Sequence, residues 1–174
     1  MIKNKKSLST VVATVLLVLL AVVLVGVVWA SITKIVENSR NRSESCFDIL
    51  ERVSLNAFYT CYNLTSKEFM FSINIADKDV EKALISITSE GTSKSFELST
   101  AGSVIPNVRA YGGNYGESVT LPEKNSGLSY YYNLTGAGFA GTSSPNMVRI
   151  APIISGNQCD VSDTIDEISV CSLS

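Results

Sequence analysis

This chain of 174 residues contains no histidine. That removes the side chain that titrates nearest neutral pH, the most frequent general acid–base, and the commonest protein ligand of zinc. Charge is also sparse: charged residues make up 17% and the net charge is −2. No basic surface arises for a nucleic acid, and none is expected as a partner. Proline is limited to Pro106, Pro122, Pro145 and Pro152. These are read at strand ends or sheet edges, where a missing N–H costs no ladder hydrogen bond. No nucleophile–base pattern, phosphate-binding loop or metal-ligand cluster is recognisable. We therefore expect no catalytic residue, no metal and no cofactor.

What the chain has instead is the stretch Leu8 to Ile32, LSTVVATVLLVLLAVVLVGVVWASI. No charge occurs between Lys6 and Lys34, which leaves 27 uncharged positions in a row. As a helix rising about 1.5 Å per residue, these span roughly 40 Å, against a bilayer hydrocarbon core about 30 Å thick. Backbone amides in lipid must find partners inside the segment, so the segment is expected to be helical despite its many valines. It is apolar on every face and too long for the core helix of a soluble protein. Lys3, Lys5 and Lys6 precede it and mark a cytoplasmic N-terminus, while Trp29 fits an interfacial anchor near the outer end. Gly26-x-x-x-Ala30 offers one face of small residues for close helix approach. The apolar run exceeds a secretory signal peptide in length and lacks a good cleavage site behind it.

Helical spacing continues through Ile32, Ile35 and Val36 and again through Cys46, Ile49, Leu50 and Val53, with the all-polar ENSRNRSES between. Residues 37–55 are thus read as a polar helix extension or stalk, and 56–174 as the head. Beyond the first 45 residues the chain retains 129, enough for one modest core. From about Asn56 the period changes to that of strands. Short β-type runs are read at Ala57–Tyr62, Glu68–Ala76, Ala83–Ser89, Ser95–Ser99, Val119–Leu121, Leu128–Asn133, Met147–Ile154 and Ile165–Val170. Phe69, Phe71, Ile73 and Ile75 give one strand an apolar face, and Glu90-Gly91-Thr92-Ser93 reads as a hairpin turn. The series reads as a β-sandwich. The fold class is therefore α+β: a long N-terminal transmembrane helix followed by an all-β head.

Four cysteines, Cys46, Cys61, Cys159 and Cys171, all follow the apolar run. An even count beyond a membrane span fits two disulfides in an oxidising space. Four cysteines allow three connectivities. Closeness along the chain favours Cys46–Cys61 with Cys159–Cys171. Asn41-Arg42-Ser43, Asn63-Leu64-Thr65 and Asn133-Leu134-Thr135 are N-glycosylation sequons. Gly136-x-Gly138-x-x-Gly141 spells a dinucleotide-binding fingerprint, but its context is a loop rather than a parallel strand leading into a helix, so it is set aside. Asp160, Asp163, Asp166 and Glu167 lack the spacing of a calcium loop and read as a solvated acidic stretch. Tyr111, Tyr115, Tyr130, Tyr131 and Tyr132 are dense, and core or edge packing accounts for them before sugar or subunit contact does.

The stretch Lys5-Lys6-Ser7-Leu8-Ser9-Thr10-Val11-Val12-Ala13-Thr14-Val15-Leu16-Leu17 resembles the class III signal of archaeal type IV pilins and pilin-like proteins. The likeness covers residues 3–32. It implies cleavage by a prepilin peptidase between Ser7 and Leu8, leaving Leu8 as the first mature residue. Ser7 stands where glycine is usual, and Thr10 where proline is frequent. Val12 replaces the glutamate of bacterial pilins, as is usual in the archaeal branch. The resemblance further implies an immunoglobulin-like head, a helix that forms a filament core, other pilin-like subunits as partners, and a motor ATPase with its membrane platform protein. The function expected is thus a structural subunit of a surface filament, with the head exposed for surface contact or adhesion. The alternative is a monomeric single-pass protein whose helix stays in the lipid bilayer while the extracellular head binds a ligand. A membrane-tethered enzyme is the third and least favoured reading.

Overall fold

The computed structural model describes residues 5–47, 49, 51–139 and 144–171, with side chains described from Val11 to Glu37 and from Cys46 onward within those ranges. The chain divides into two compact units, Met1–Ser43 and Glu44–Ser174. The first consists of helix α1, which runs over Lys5–Phe47 and extends into the start of the second unit. No proline interrupts it. Its described hydroxyls turn back on the helix. Thr14 Oγ1 donates to Val11 O at 2.9 Å, Ser31 Oγ to Val27 O at 2.9 Å, and Thr33 Oγ1 to Trp29 O and Ala30 O at 3.1 Å. Hydroxyls satisfied in this way place no unpaired donor on an apolar surface.

The helix ends at Phe47, short of the expected helical spacing through Val53, which instead opens the first strand. In chain order the strands are β1 (Val53–Leu55), β2 (Cys61–Asn63), β3 (Glu68–Ile75), β4 (Lys82–Ser89), β5 (Thr92–Ser99), β6 (Ser103–Val104), β7 (Val108–Ala110), β8 (Ser118–Val119), β9 (Ser126–Asn133), β10 (Met147–Ile154), β11 (Asn157–Gln158), β12 (Asp163–Ile165) and β13 (Ser169–Val170). A 3-10 turn at Ala57–Tyr59 stands where a strand over Ala57–Tyr62 was expected. Asn56 caps it, Oδ1 accepting from Phe58 N at 3.0 Å, and this local hydrogen bond competes with extension of the strand.

Two sheets share one core. The first has the order β13-β2-β3-β9-β7, with β1 also paired to β3. The second has the order β11-β10-β4-β5, with β12 also paired to β10. β6 and β8 form a separate two-stranded ribbon. The alternation read in β3 is realised: Phe69, Phe71, Ile73 and Ile75 are buried. They meet Ile85 and Ile87 of β4, Tyr130 and Tyr132 of β9, and Val148 and Ile150 of β10 in a single hydrophobic cluster. Aromatic contacts cross between the sheets. Phe71 of β3 lies 6.1 Å from Phe96 of β5, and Phe96 stacks on Tyr132 of β9 at 5.3 Å.

The hairpin turn expected over Glu90–Ser93 closes in two residues, Glu90 and Gly91, with Ser89 opposite Thr92 and Ser93 already in β5; both loop residues have positive φ, 47° and 78°. Such a turn matches the right-handed twist of its strands, and glycine takes the second position without strain. Ser155–Gly156 repeats the device between β10 and β11, at φ 49° and 74°.

Pro152 departs from the edge position expected of it, because it lies inside β10, which has neighbours on both sides. Its carbonyl accepts from Cys159 N at 2.9 Å, so its ring nitrogen faces the same flank. On that flank β12 pairs only with Val148 to Ile150, and β11 only with Ile153 and Ile154. The missing N–H therefore falls in the gap between two short partners, and the ladder to β4 is untouched.

Replacing Phe71, fully buried and stacked on Tyr130 at 5.3 Å, with alanine removes contacts to both sheets. We expect a loss of about 3–5 kcal/mol in denaturant unfolding of the head. Phe58, 96% exposed, should change stability by no more than about 0.5 kcal/mol on the same substitution. Equal effects from the two would contradict this core.

Candidate functional site

The first candidate is α1 itself. Its segment Val11–Glu37, 27 residues, is long and apolar enough to cross a membrane, and none of it is buried within the chain. Ser7 and Leu8 have helical backbone, and Asn41 also lies on α1. The side chains of these three lie outside the described residues.

The cysteines form two disulfides, but not in the pairing favoured from chain proximity. Cys46 bonds Cys159, with Cα atoms 5.4 Å apart, and Cys61 bonds Cys171, with Cα atoms 4.9 Å apart. Strand topology explains the difference. β13 runs parallel to β2, with Ser169 opposite Cys61 and Val170 opposite Tyr62, and Cys171 N donates to Tyr62 O at 3.0 Å. Parallel neighbours require a long connection, so a cysteine beginning β2 meets one from far along the chain. Cys159 is placed beside β10 by its bond to Pro152 O. The sequence separations are 113 and 110 residues. In the chain-entropy model, closing one such loop removes about 4–5 kcal/mol of unfolded-state freedom. Cys46 belongs to the last turn of α1, so one bond ties that turn to the neighbourhood of β10.

Asn63 ends β2, and its Oδ1 accepts from Thr65 N at 2.9 Å and Ser66 N at 3.1 Å. Asn133 ends β9, and its Oδ1 accepts from Gly136 N at 2.9 Å. In both sequons the side-chain oxygen is engaged. Register places Asn63, Glu68 and Asn133 in one row across β2, β3 and β9. The glycine motif begins in the turn after β9, a strand antiparallel to its neighbours, and Gly141 lies outside the described residues.

A further constellation joins two of the dense tyrosines to Arg109 and Glu68, for which the sequence gives no sign. Arg109 of β7 sits opposite Tyr131 of β9, and its guanidinium carbon is 4.1 Å from the Tyr131 ring centroid and 5.4 Å from that of Tyr115. Its Nε and Nη2 donate to Glu68 Oε1 at 3.3 and 3.2 Å, and Nη1 donates to Gly113 O at 3.2 Å. Tyr115 Oη donates to the same Glu68 oxygen at 2.6 Å. Partial burial alone raises the Glu68 pKa, but the hydrogen bonds from Tyr115 and Arg109 and the guanidinium charge outweigh it and hold the carboxyl below its ordinary value. Burial, with the carboxylate it donates to, pushes the Tyr115 phenol up to about 12. Glu68 lies 41 positions from Arg109 and 47 from Tyr115, and the β3–β9–β7 pairing brings them together.

A shallow cleft of about 360 Å³ is lined by Asp79, Glu81, Glu123 and Lys124 among others. Among the described residues no group of three His, Cys, Asp or Glu side chains is disposed to hold a metal. No protein-family model, curated protein or solved structure matches this chain.

Because the folded pKa of Glu68 lies below its ordinary 4.5, the ionised pair stabilises the fold above that pH. The contribution is lost as pH falls through the lowered folded value. Glu68→Gln should therefore cost about 1 kcal/mol near pH 7, less than the roughly 1.5–3 kcal/mol of a charged hydrogen bond because solvent screens the pair. The difference from the parent should shrink below about pH 4.5 in thermal unfolding. A pH-independent difference would contradict the role given to Glu68.

Proposed function

We propose that this chain is a pilin-like structural subunit of an archaeal type IV pilus-like surface filament. The observation that carries the reading is the unburied apolar helix directly behind Lys5-Lys6-Ser7-Leu8. A prepilin peptidase removes the basic leader after Ser7. The lysines hold the amino end in the cytoplasm before that cut. Once they are gone, the leading end of the helix carries only its new amine, and the helix can leave lipid and pack against copies of itself. A cytoplasmic motor ATPase and a membrane platform protein supply the work of extraction. The head, outside the cell, meets an oxidising medium, and two disulfides agree with that side. A sugar at Asn63 would add solubility there.

The sheet orders support an immunoglobulin-like reading of the head. β2-β3-β9-β7 corresponds to the order A-B-E-D, and β5-β4-β10 with β11 and β12 corresponds to C′-C-F-G. Ser7 and Thr10, where the family has glycine and proline, favour a second reading: an uncut, single-pass protein whose head acts as a monomer.

The deciding experiment is the N-terminal mass of the native protein, taken from membranes and from sheared surface material. A chain beginning at Leu8 and present in the sheared fraction is the expected result. An intact Lys3–Ser7 segment with all protein in membranes would sink the filament reading and leave the anchored monomer.

A further inference from the structure

At its β7 edge the outer face of the six-stranded sheet carries an aromatic surface that filament assembly through α1 does not use. Tyr111 follows β7, and its N–H is held by Ser129 O at 2.9 Å. Its ring stacks on Tyr131 at 5.9 Å and 20°, yet Tyr111 remains 69% exposed. Among the described residues no second ring or cation covers it.

The loop behind Tyr111 is internally fixed. Gly113 N donates to Ala110 O at 3.0 Å, and the Glu117 carboxylate accepts from both Asn114 N and Asn114 Nδ2 at 2.9 Å. A preordered surface loses little freedom when it binds. Hydrogen-bonding groups stand close by. Asn133 is two residues from Tyr131 on the same strand face, and its Nδ2 donates to no described residue. Glu68 lies opposite Asn133, and Tyr115 is 40% exposed.

The chemistry narrows the ligand. A cation approaching Tyr111 meets the positive guanidinium of Arg109, which lies over the neighbouring Tyr131 and Tyr115 rings. An anion meets a guanidinium already engaged by Glu68. A flat exposed ring gives no enclosure for an acyl chain. A pyranose ring combines an apolar C–H face, which stacks on an aromatic ring, with a rim of neutral hydroxyls that take hydrogen bonds from amides and carboxylates. We propose that Tyr111, backed by Tyr131, is the stacking platform of a binding site for neutral oligosaccharides, with Asn133, Glu68 and Tyr115 meeting the sugar hydroxyls. The biological use of this site rests on the outward placement of the head. Binding itself depends on neither cleavage after Ser7 nor assembly.

The test is saturation-transfer NMR on the full, unglycosylated chain in a zwitterionic detergent that bears no sugar head group. Cellotriose and triacetylchitotriose are the neutral probes, with sialyllactose as the anionic comparison. The expected result is saturation of the ring C–H protons of a neutral probe. Tyr111→Ala should weaken its binding by about tenfold, while Tyr111→Phe keeps the stacking surface and stays within about twofold. Three results would overturn the proposal: no transfer to either neutral probe, equal binding by Tyr111→Ala, or preference for the anionic sugar. Loss of self-association in Tyr111→Ala without sugar binding would also overturn it and assign the face to a second copy.

Discussion

The structure depends on one constraint: the helical segment Val11–Glu37 is long and apolar enough to cross a membrane, and all of its residues are exposed. Leu17, Val18, Leu19 and Leu20, which together make one turn around the helix, are all mostly exposed. Leaving such a surface in water costs on the order of tens of kcal/mol at about 25 cal/mol per Å². A domain of this size has a net stability of only about 5–15 kcal/mol, so folding of the head cannot offset that cost. The cover must come from lipid or from other helices. Thr14, Ser31 and Thr33 are compatible with either, because each hydroxyl is satisfied by a carbonyl of its own helix.

Much else follows from which side of a membrane the remainder occupies. Two disulfides agree with an oxidising side, and they do structural work that short strands cannot do alone. β13 contributes two residues, both exposed, to its parallel pairing with β2. Cys61–Cys171 holds that strand in place and keeps the β2 edge covered. Cys46–Cys159 ties the last turn of α1, just before the first strand, to the residue after β11.

Elements governed by local periodicity were legible in the sequence. The apolar run, the alternating face of β3 and the turn after β4 depend on neighbours within a few residues; the first two are found where they are read, and the turn is the tighter Glu90–Gly91 within the expected Glu90–Ser93. What depends on distant pairing was not. Cys61 takes its partner from a parallel strand, and Cys46 from the residue after β11, each more than a hundred residues later. Pro152 reads as an edge residue, yet sits inside β10 because two short partners leave a gap beside it. Val53 continues a helical spacing but pairs with Ile75 of β3, where burial in a sheet outweighs periodicity. Among the site residues, Tyr111 and Tyr131 were noticed only as part of a tyrosine-rich stretch. Their partners Arg109 and Glu68 had no local signal, since a charge pair between strands is written in register and not in spacing.

The measurement closest to the central claim is alkaline carbonate extraction of native membranes, combined with protease treatment of intact cells. The expected result is that the full chain resists carbonate and that the head, from Glu44 onward, is reached by protease from outside. A chain released by carbonate, or a head protected in intact cells and cleaved only after lysis, would contradict an outward domain held by Val11–Glu37.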